Sequence, residues 1–225
     1  MAVVLTILTF AVIVLIDYLI RRKLAEAKQA EAASAIPAET EAELQPAWVA
    51  GYQFKEGLHY HLGHSWARQT GPDVVTVGLD DFARRLIGRV SELKLPSIGT
   101  WLHQGAAAFR LNSNGRSAGL VSPVEGEVIE VNRNAKRDPS VVASDPLGRG
   151  WLFKVRTADV PANFRNLLTG RIARRWLEDA REQLDLRLVF LTGSVIQDGA
   201  GPPLDLAEKL EPEDWRSLAR QFFLV

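Results

Sequence analysis

The chain has 225 residues, of which 47% are hydrophobic and 24% charged, a composition typical of a globular domain with appendages. Its 27 basic and 27 acidic residues cancel, so no overall electrostatic attraction to nucleic acid is expected. The absence of cysteine excludes disulfides, thiolate metal sites and cysteine nucleophiles.

An apolar run opens the chain from Ala2 to Ile20, close to the roughly 20 residues needed to cross the hydrocarbon core of a bilayer. Arg21, Arg22 and Lys23 follow this run, whereas no basic residue precedes it. A cleaved signal peptide needs the opposite order of charge, so residues 1–23 are interpreted as a transmembrane anchor. Because Lys and Arg favour the cytoplasmic side, we expect a single pass through the inner, cytoplasmic membrane with the C-terminal domain in the cytoplasm.

Residues 24–46 are rich in Ala and Glu and contain few large apolar side chains. Their first part favours a solvated helix, which Pro37 and Pro46 are expected to interrupt. A segment of this composition cannot form a core, so we interpret it as a tether between the membrane and a domain that begins at residue 47.

The region from about residue 60 to 157 contains short alternating apolar runs separated by Gly, Pro, Asn and Asp, which is typical of a compact β fold. Val74–Val77 is predicted to be a strand. It leads into one helical stretch, Asp80–Leu86, with Asp80 as a suitable N-cap and Gly88 at the end. The domain is therefore expected to be mainly β with flanking helices.

A hairpin turn is predicted at Asn114-Gly115, because both residue types tolerate positive φ and apolar runs flank them. Downstream, Val124–Val131 alternates with imperfect phase, which indicates a strand with a bulge. A dense turn cluster, Ser144–Gly150, then precedes the β-prone run Trp151–Val155.

These motifs, in this order, resemble the glycine cleavage H protein from about Tyr60 to Asp159. The most specific part is Ser122–Val155, SPVEGEVIEVNRNAKRDPSVVASDPLGRGWLFKV, which contains the DP and GWLF motifs of that family. Shorter matches lie at His64–Trp66, Val77–Ala83 and Leu95–Gly99. The resemblance implies a lipoyl-type flattened β-barrel, also called a barrel-sandwich hybrid, which with its C-terminal helix would occupy residues 47–185.

The resemblance also implies where cargo would be carried, since the hairpin tip of an H protein presents a lysine that is acylated by lipoic acid. An ungapped alignment places that lysine at Gly115, and a shift of one residue places it at Asn114 or Arg116. None can be lipoylated, because the chemistry requires a primary amine and the Arg guanidinium stays protonated. Independently of alignment, no lysine lies between Lys94 and Lys136. A degenerate lipoylation site, without cofactor or catalytic residues, is therefore predicted.

A metal or haem site is a competing interpretation of His59, His61 and His64, because a His-x-His pair with a third His nearby can bind zinc, copper or haem iron. The other interpretation is structural: His64 belongs to the entry motif, and His59 and His61 point to one face of an edge strand. The sequence offers no identifiable fourth ligand, so no metal is expected.

A long amphipathic helix is predicted over Pro161–Leu184 and is expected to pack on the barrel. Its apolar stripe comprises Phe164, Leu168, Ile172, Trp176 and Leu184. Its arginines lie mostly off this stripe. The alternative to packing is that these arginines contact anionic lipid or a partner.

An extension, residues 186–225, is predicted to follow as a strand, a turn and a helix. Leu186–Ile196 is the predicted strand, Asp198-Gly199 the turn, and Pro212 to Phe223 the last helix. The apolar end of this helix is expected to fold back onto the barrel, with insertion into another subunit as the alternative.

The sequence thus favours a membrane-anchored, non-lipoylated H-protein-like domain that is not an enzyme and acts as a docking or assembly subunit of a larger complex. The expected partners are the membrane and an unidentified protein complex, but not nucleic acid. Two alternatives stay open. One is a lipoyl-carrier H protein of glycine decarboxylation whose acylated lysine lies outside the tip, and the other is a metal or haem protein built on His59, His61 and His64.

Overall fold

A computed structural model describes residues 46–193 and 205–225. Their strands are β1 (Ala47–Val49), β2 (Tyr52–Phe54), β3 (His59–Tyr60), β4 (Ser65–Gln69), β5 (Val74–Leu79), β6 (Glu92–Lys94), β7 (Trp101–Leu102), β8 (Ala107–Ser113), β9 (Arg116–Val121), β10 (Gly126–Val131) and β11 (Phe153–Arg156). Their helices are α1 (Asp81–Ile87), α2 (Arg133–Arg137), α3 (Ser140–Ser144), α4 (Val160–Phe164), α5 (Gly170–Thr192), α6 (Leu206–Lys209) and α7 (Pro212–Phe223). The predicted transmembrane anchor and nearly all of the tether lie outside these residues. Within them, no helix has the length and apolar content to cross a bilayer.

The described strands form antiparallel sheets. The largest has the order β3-β4-β5-β11-β10-β7, a second has the order β6-β8-β9, and β1 pairs with β2. The two larger sheets meet in the core, where the ring centres of Phe109 and Phe153 lie 5.6 Å apart. The fold is mainly β with flanking helices, as predicted. The predicted bulge is also confirmed, since the register of β10 against β11 shifts between Val128 and Glu130.

Helix α1 begins and ends where the sequence predicts. The Asp80 side chain accepts a hydrogen bond from the backbone N–H of Ala83 at 2.8 Å, which satisfies one of the free donors of the first turn. Gly88 ends the helix with a φ of 78°, a conformation that residues with a Cβ adopt only under strain.

The predicted helix over Pro161–Leu184 is wrong in its extent. The structure divides it into α4 and α5, because Leu168 exchanges two backbone hydrogen bonds with Tyr60, at 2.8 and 2.7 Å. The predicted apolar stripe is wrong at Ile172, which is 68% exposed. Its other members pack as predicted, since Leu184 is buried and Phe164, Leu168 and Trp176 lie against the core. The buried face consists of Ala173, Leu177, Ala180, Leu184 and Leu188.

The predicted strand Leu186–Ile196 is also wrong, because α5 continues as a helix to Thr192 and ends at Gly193, which has a φ of 65°. Burial of Leu184 and Leu188, four residues apart, follows the helical period and outweighs the β-prone local sequence. The predicted Asp198-Gly199 turn lies outside the described residues.

The last helix, α7, has the predicted bounds and folds back onto the domain. Its residues Trp215, Leu218, Phe222 and Phe223 are buried. Trp215 lies against the hairpin formed by β8 and β9, where its indole Nε1 donates to the Ser117 carbonyl at 3.3 Å. Helix α7 is therefore packed on the folded domain.

Candidate functional site

The tip of the β8–β9 hairpin is a tight two-residue turn. Ser113 pairs with Arg116 at the end of the ladder, and the intervening Asn114 and Gly115 have φ values of 43° and 78°. Positive φ at both central residues is the hairpin geometry that Asn-Gly favours, so the predicted turn is confirmed. A Cβ placed on Gly115 would meet no atom within 4 Å, and a side chain at this position would therefore face open space.

Residues 205–225, which we call the C-terminal clamp, hold both flanks of this tip. The Asn114 amide donates to the Glu208 carboxylate at 2.5 Å. The Arg116 guanidinium donates to the Leu210 carbonyl at 2.6 Å. Arg116 is half-buried, whereas Asn114 and Gly115 are exposed. The turn is thus tied to a segment nearly a hundred residues later in the chain, and no local sequence signal indicates these contacts.

The clamp also reaches the strand behind the tip and the surroundings of α1. The backbone N–H of Asp205 donates to the Arg85 carbonyl at 3.2 Å. At the opposite end of the clamp, an ideal Cβ on Gly119 would lie 3.4 Å from the Cβ of Val225. The Val225 Cγ1 atom would lie at only 2.9 Å, so a side chain at residue 119 would displace the Val225 side chain.

Lys209 is a described lysine whose two neighbours in the chain both contact the tip. Lys209 is exposed and lies between Glu208, which binds Asn114, and Leu210, which binds Arg116. The other described lysines are Lys55, Lys94, Lys136 and Lys154.

The three histidines of the sequence-based metal hypothesis make separate contacts. The His59 ring packs against the Phe164 ring, tilted by 34° with centres 4.1 Å apart. His61 Nδ1 accepts a hydrogen bond from the Gly63 N–H at 3.0 Å. His64 is buried and its Nδ1 lies 2.7 Å from Asp80 Oδ2. Within the described residues, no group of three His, Cys, Asp or Glu side chains could hold a metal ion.

Burial is the main influence on the pKa of His59 and of His61. It lowers the pKa of the His59 and His61 imidazoles, and the nearby His64 lowers that of His61 further. Asp80 has a structural role here, because one of its carboxylate oxygens caps α1 and the other contacts His64.

Comparison with known proteins places the hairpin and the sheets within one family. The model of the glycine cleavage H-protein family matches residues 58–180. The glycine cleavage system H protein of Mycobacterium avium is 39% identical over 105 residues, which cover 47% of this chain and 80% of that protein. The H protein of Laribacter hongkongensis is 37% identical over 111 residues, or 49% of this chain and 87% of that protein.

Similarity also extends to a further relative and to a solved structure. A probable glycine cleavage system H protein 2 of Sulfurisphaera tokodaii is 34% identical over 128 residues, covering 56% of this chain and 86% of that protein. The crystal structure of an H protein from Mycobacterium marinum has a TM-score of 0.49 at 28% identity and covers 56% of this chain and 98% of that chain. The C-terminal clamp lies beyond the residues that the family model matches.

Proposed function

We propose a docking function for this chain, which belongs to the glycine cleavage H-protein family. In this proposal the chain is anchored in the cytoplasmic membrane by one N-terminal helix, carries no lipoyl group, has no catalytic activity and serves as a docking or assembly subunit of a larger complex in the cytoplasm.

The observation that carries this proposal is the chemistry of the hairpin tip. The tip is Asn114-Gly115 followed by Arg116, and no lysine lies between Lys94 and Lys136. Lipoylation needs a primary amine, which the tip lacks. The hydrogen bonds from both flanks of the turn to the C-terminal clamp join the hairpin tip and the clamp into one surface, which a partner could bind.

The membrane part of the proposal rests on the sequence alone. The apolar run Ala2 to Ile20 and the following Arg21, Arg22 and Lys23 support one helix with its C-terminal end in the cytoplasm. Membranes washed at high pH and high salt should retain the chain, and deletion of residues 2–20 should release it. Full extraction of the intact chain by such a wash would contradict the anchor.

The absence of a lipoyl group is tested by the intact mass of the chain purified from its native membranes. We expect the unmodified mass. The docking role is tested by chemical crosslinking in the same membranes, followed by identification of the crosslinked residues. A defined partner that contacts the hairpin or the clamp supports docking, whereas a chain that yields no intermolecular crosslink contradicts it.

A second candidate function, a lipoyl carrier, is favoured by the position of Lys209. This exposed amine follows Glu208, whose carboxylate binds the tip residue Asn114, and the relatives described above are named as H proteins. A carrier would show a lipoyl adduct in the intact mass. Peptide mapping would place it on Lys209, and Lys209→Arg would abolish it while Lys94→Arg, at another exposed lysine, would not.

A further inference from the structure

We infer that the surface around helix α2 lies against the anionic headgroups of the membrane in which the chain is anchored. We call this surface the basic face and define it by Arg133, Lys136 and Arg137 of α2 together with the adjacent Ile98 and Trp151. The inference rests on the anchor in the proposed function and adds which side of the domain faces the lipid.

The basic side chains of this face form no ion pairs with the described acids. All three side chains, Arg133, Lys136 and Arg137, are exposed. None forms an ion pair with another described residue. Arg137 donates only to the amide oxygen of Asn134, at 3.4 Å. Three free positive charges within five residues of one helix attract a negatively charged surface.

Two acids beside the basic face are paired with cations, and a third, Asp138, is not paired with one within the described part of the chain. Glu130 accepts from the Lys154 ammonium at 2.8 Å, and Asp145 lies 3.5 Å from the Arg149 guanidinium. The exposed Asp138 accepts the Ser140 backbone N–H at 3.0 Å, and hydrogen bonds from Ser140 lower its pKa. Asp138 has no cationic partner among the described residues, so it offsets one of the three basic charges of α2 and the face keeps an excess of two.

The sequence also suggests helix α5 as a possible lipid contact because of its arginines. Most of these arginines are paired with acids, so α5 lacks free positive charge along most of its length. Arg174 pairs with Glu56 at 2.7 Å. Arg175 pairs with Glu178 and Asp179 at 3.3 and 3.2 Å. Arg181 pairs with Asp185, also at 2.7 Å, and compensated charges of this kind exert little attraction on a distant anionic surface. The structure thus moves the lipid-facing side from α5 to α2.

Apolar groups of the kind that enter a membrane interface lie beside the free charges. Ile98 is 58% exposed, and the half-buried Trp151 lines two hollows of about 540 and 400 Å³. The first is bordered by Arg137 and the second by Ile98 and Arg133. Trp is favoured at the headgroup level of bilayers, and exposed apolar side chains next to basic ones are typical of peripheral membrane contacts.

Because the tether keeps the domain close to the bilayer, a weak contact is enough to dock the basic face on the lipid. Residues 24–46 can span at most about 80 Å even when fully extended, so the domain cannot leave the neighbourhood of the bilayer. Binding of the basic face is then effectively intramolecular, and a modest attraction by its excess positive charge can hold the domain on the lipid for much of the time.

The test uses the full chain in nanodiscs of phosphatidylcholine alone or mixed with phosphatidylglycerol. Because the chain contains no cysteine, Ser140→Cys places a single environment-sensitive dye at an exposed position next to α2, and Gln183→Cys places one at an exposed position on α5. We expect the dye at residue 140 to report a less polar environment only when phosphatidylglycerol is present, and the dye at residue 183 to be unaffected.

Charge reversal provides the matched comparison. Arg133→Glu, Lys136→Glu and Arg137→Glu together should lower the ratio of docked to undocked domains by about tenfold or more. The control set Arg165→Glu, Arg171→Glu and Arg220→Glu changes the net charge equally at exposed positions and should leave the ratio unchanged.

Each contrary result has a distinct meaning. A response of the dye at residue 183 would assign the lipid contact to α5 and overturn the inference. If the chain remains in the nanodisc and the dye at residue 140 does not respond, the inference is also overturned. A response of this dye in native membranes but not in nanodiscs would overturn it too, because it would indicate an acidic protein as the partner. A chain that does not co-purify with nanodiscs would instead refute the anchor.

Discussion

A disulfide between Gly119→Cys and Val225→Cys should lock the C-terminal clamp onto the hairpin. An ideal Cβ on Gly119 lies 3.4 Å from the Cβ of Val225, close to the range of about 3.5–4.5 Å that disulfides require. Gly119 does not have a positive φ, so a cysteine can adopt its backbone conformation. The methyl groups of Val225 that would crowd the new Cβ are absent from the double variant.

The magnitude follows from the loop that the bond closes. Residues 119 and 225 enclose about 106 residues, and crosslinking a loop of that length removes roughly 4–5 kcal/mol of conformational entropy from the unfolded chain at 25 °C. The free energy of unfolding of the oxidised double variant should exceed that of its reduced form by up to about this amount. Urea denaturation in mild detergent, with and without reductant, measures the difference.

The native sequence makes the control simple, since it contains no cysteine. Each single variant has no intramolecular partner, so reductant should leave its unfolding midpoint unchanged. If both thiols of the double variant stay reactive under oxidising conditions, Val225 is not beside Gly119. If the bond forms without raising the midpoint, the clamp is not packed in the way that the structure describes.

Two further predictions concern the clamp and the histidines. Trp215→Ala should lower the free energy of unfolding by about 3–5 kcal/mol, because it empties a buried site. As a control, Arg220→Ala at an exposed position of the same helix should change it by no more than about 0.5 kcal/mol. Equal effects of the two substitutions would refute the packing of α7. Burial lowers the pKa of His59 and His61 from 6.5, so the unfolded chain binds protons at a higher pH than the folded chain does. The free energy of unfolding should therefore fall as the pH drops below about 6.5, and replacing both residues with Gln should flatten this part of the profile.

The local structure of the domain could be predicted where neighbouring residues determine it. Asp80 supplies an acceptor three residues before a free N–H, and Gly88 supplies the conformation that ends a helix, so both ends of α1 follow from short-range chemistry. The turn at Asn114-Gly115 is of the same kind, since the preference of these two residues for positive φ determines it.

The errors arose where distant contacts decide the structure. Leu186 to Phe190 is rich in large apolar residues and resembles a strand, but Arg187 donates to the Ser217 hydroxyl of α7 at 2.9 Å and Leu188 is buried, which favours the helix. Leu168 pairs with Tyr60 and thereby ends the helical run that the periodicity predicted. No pattern within a short window contains either partner.

The tip of the hairpin combines both kinds of determinant, and this changes what a partner would recognise there. Its turn is local, but its surroundings are supplied by the clamp, which places the Glu208 carboxylate on Asn114 and the Leu210 carbonyl on Arg116. A partner that approaches Gly115 would therefore also meet α6, including the exposed Lys209. If the tip is the docking contact, its specificity depends as much on the clamp as on the hairpin, because the Arg116 guanidinium is already bound to the Leu210 carbonyl.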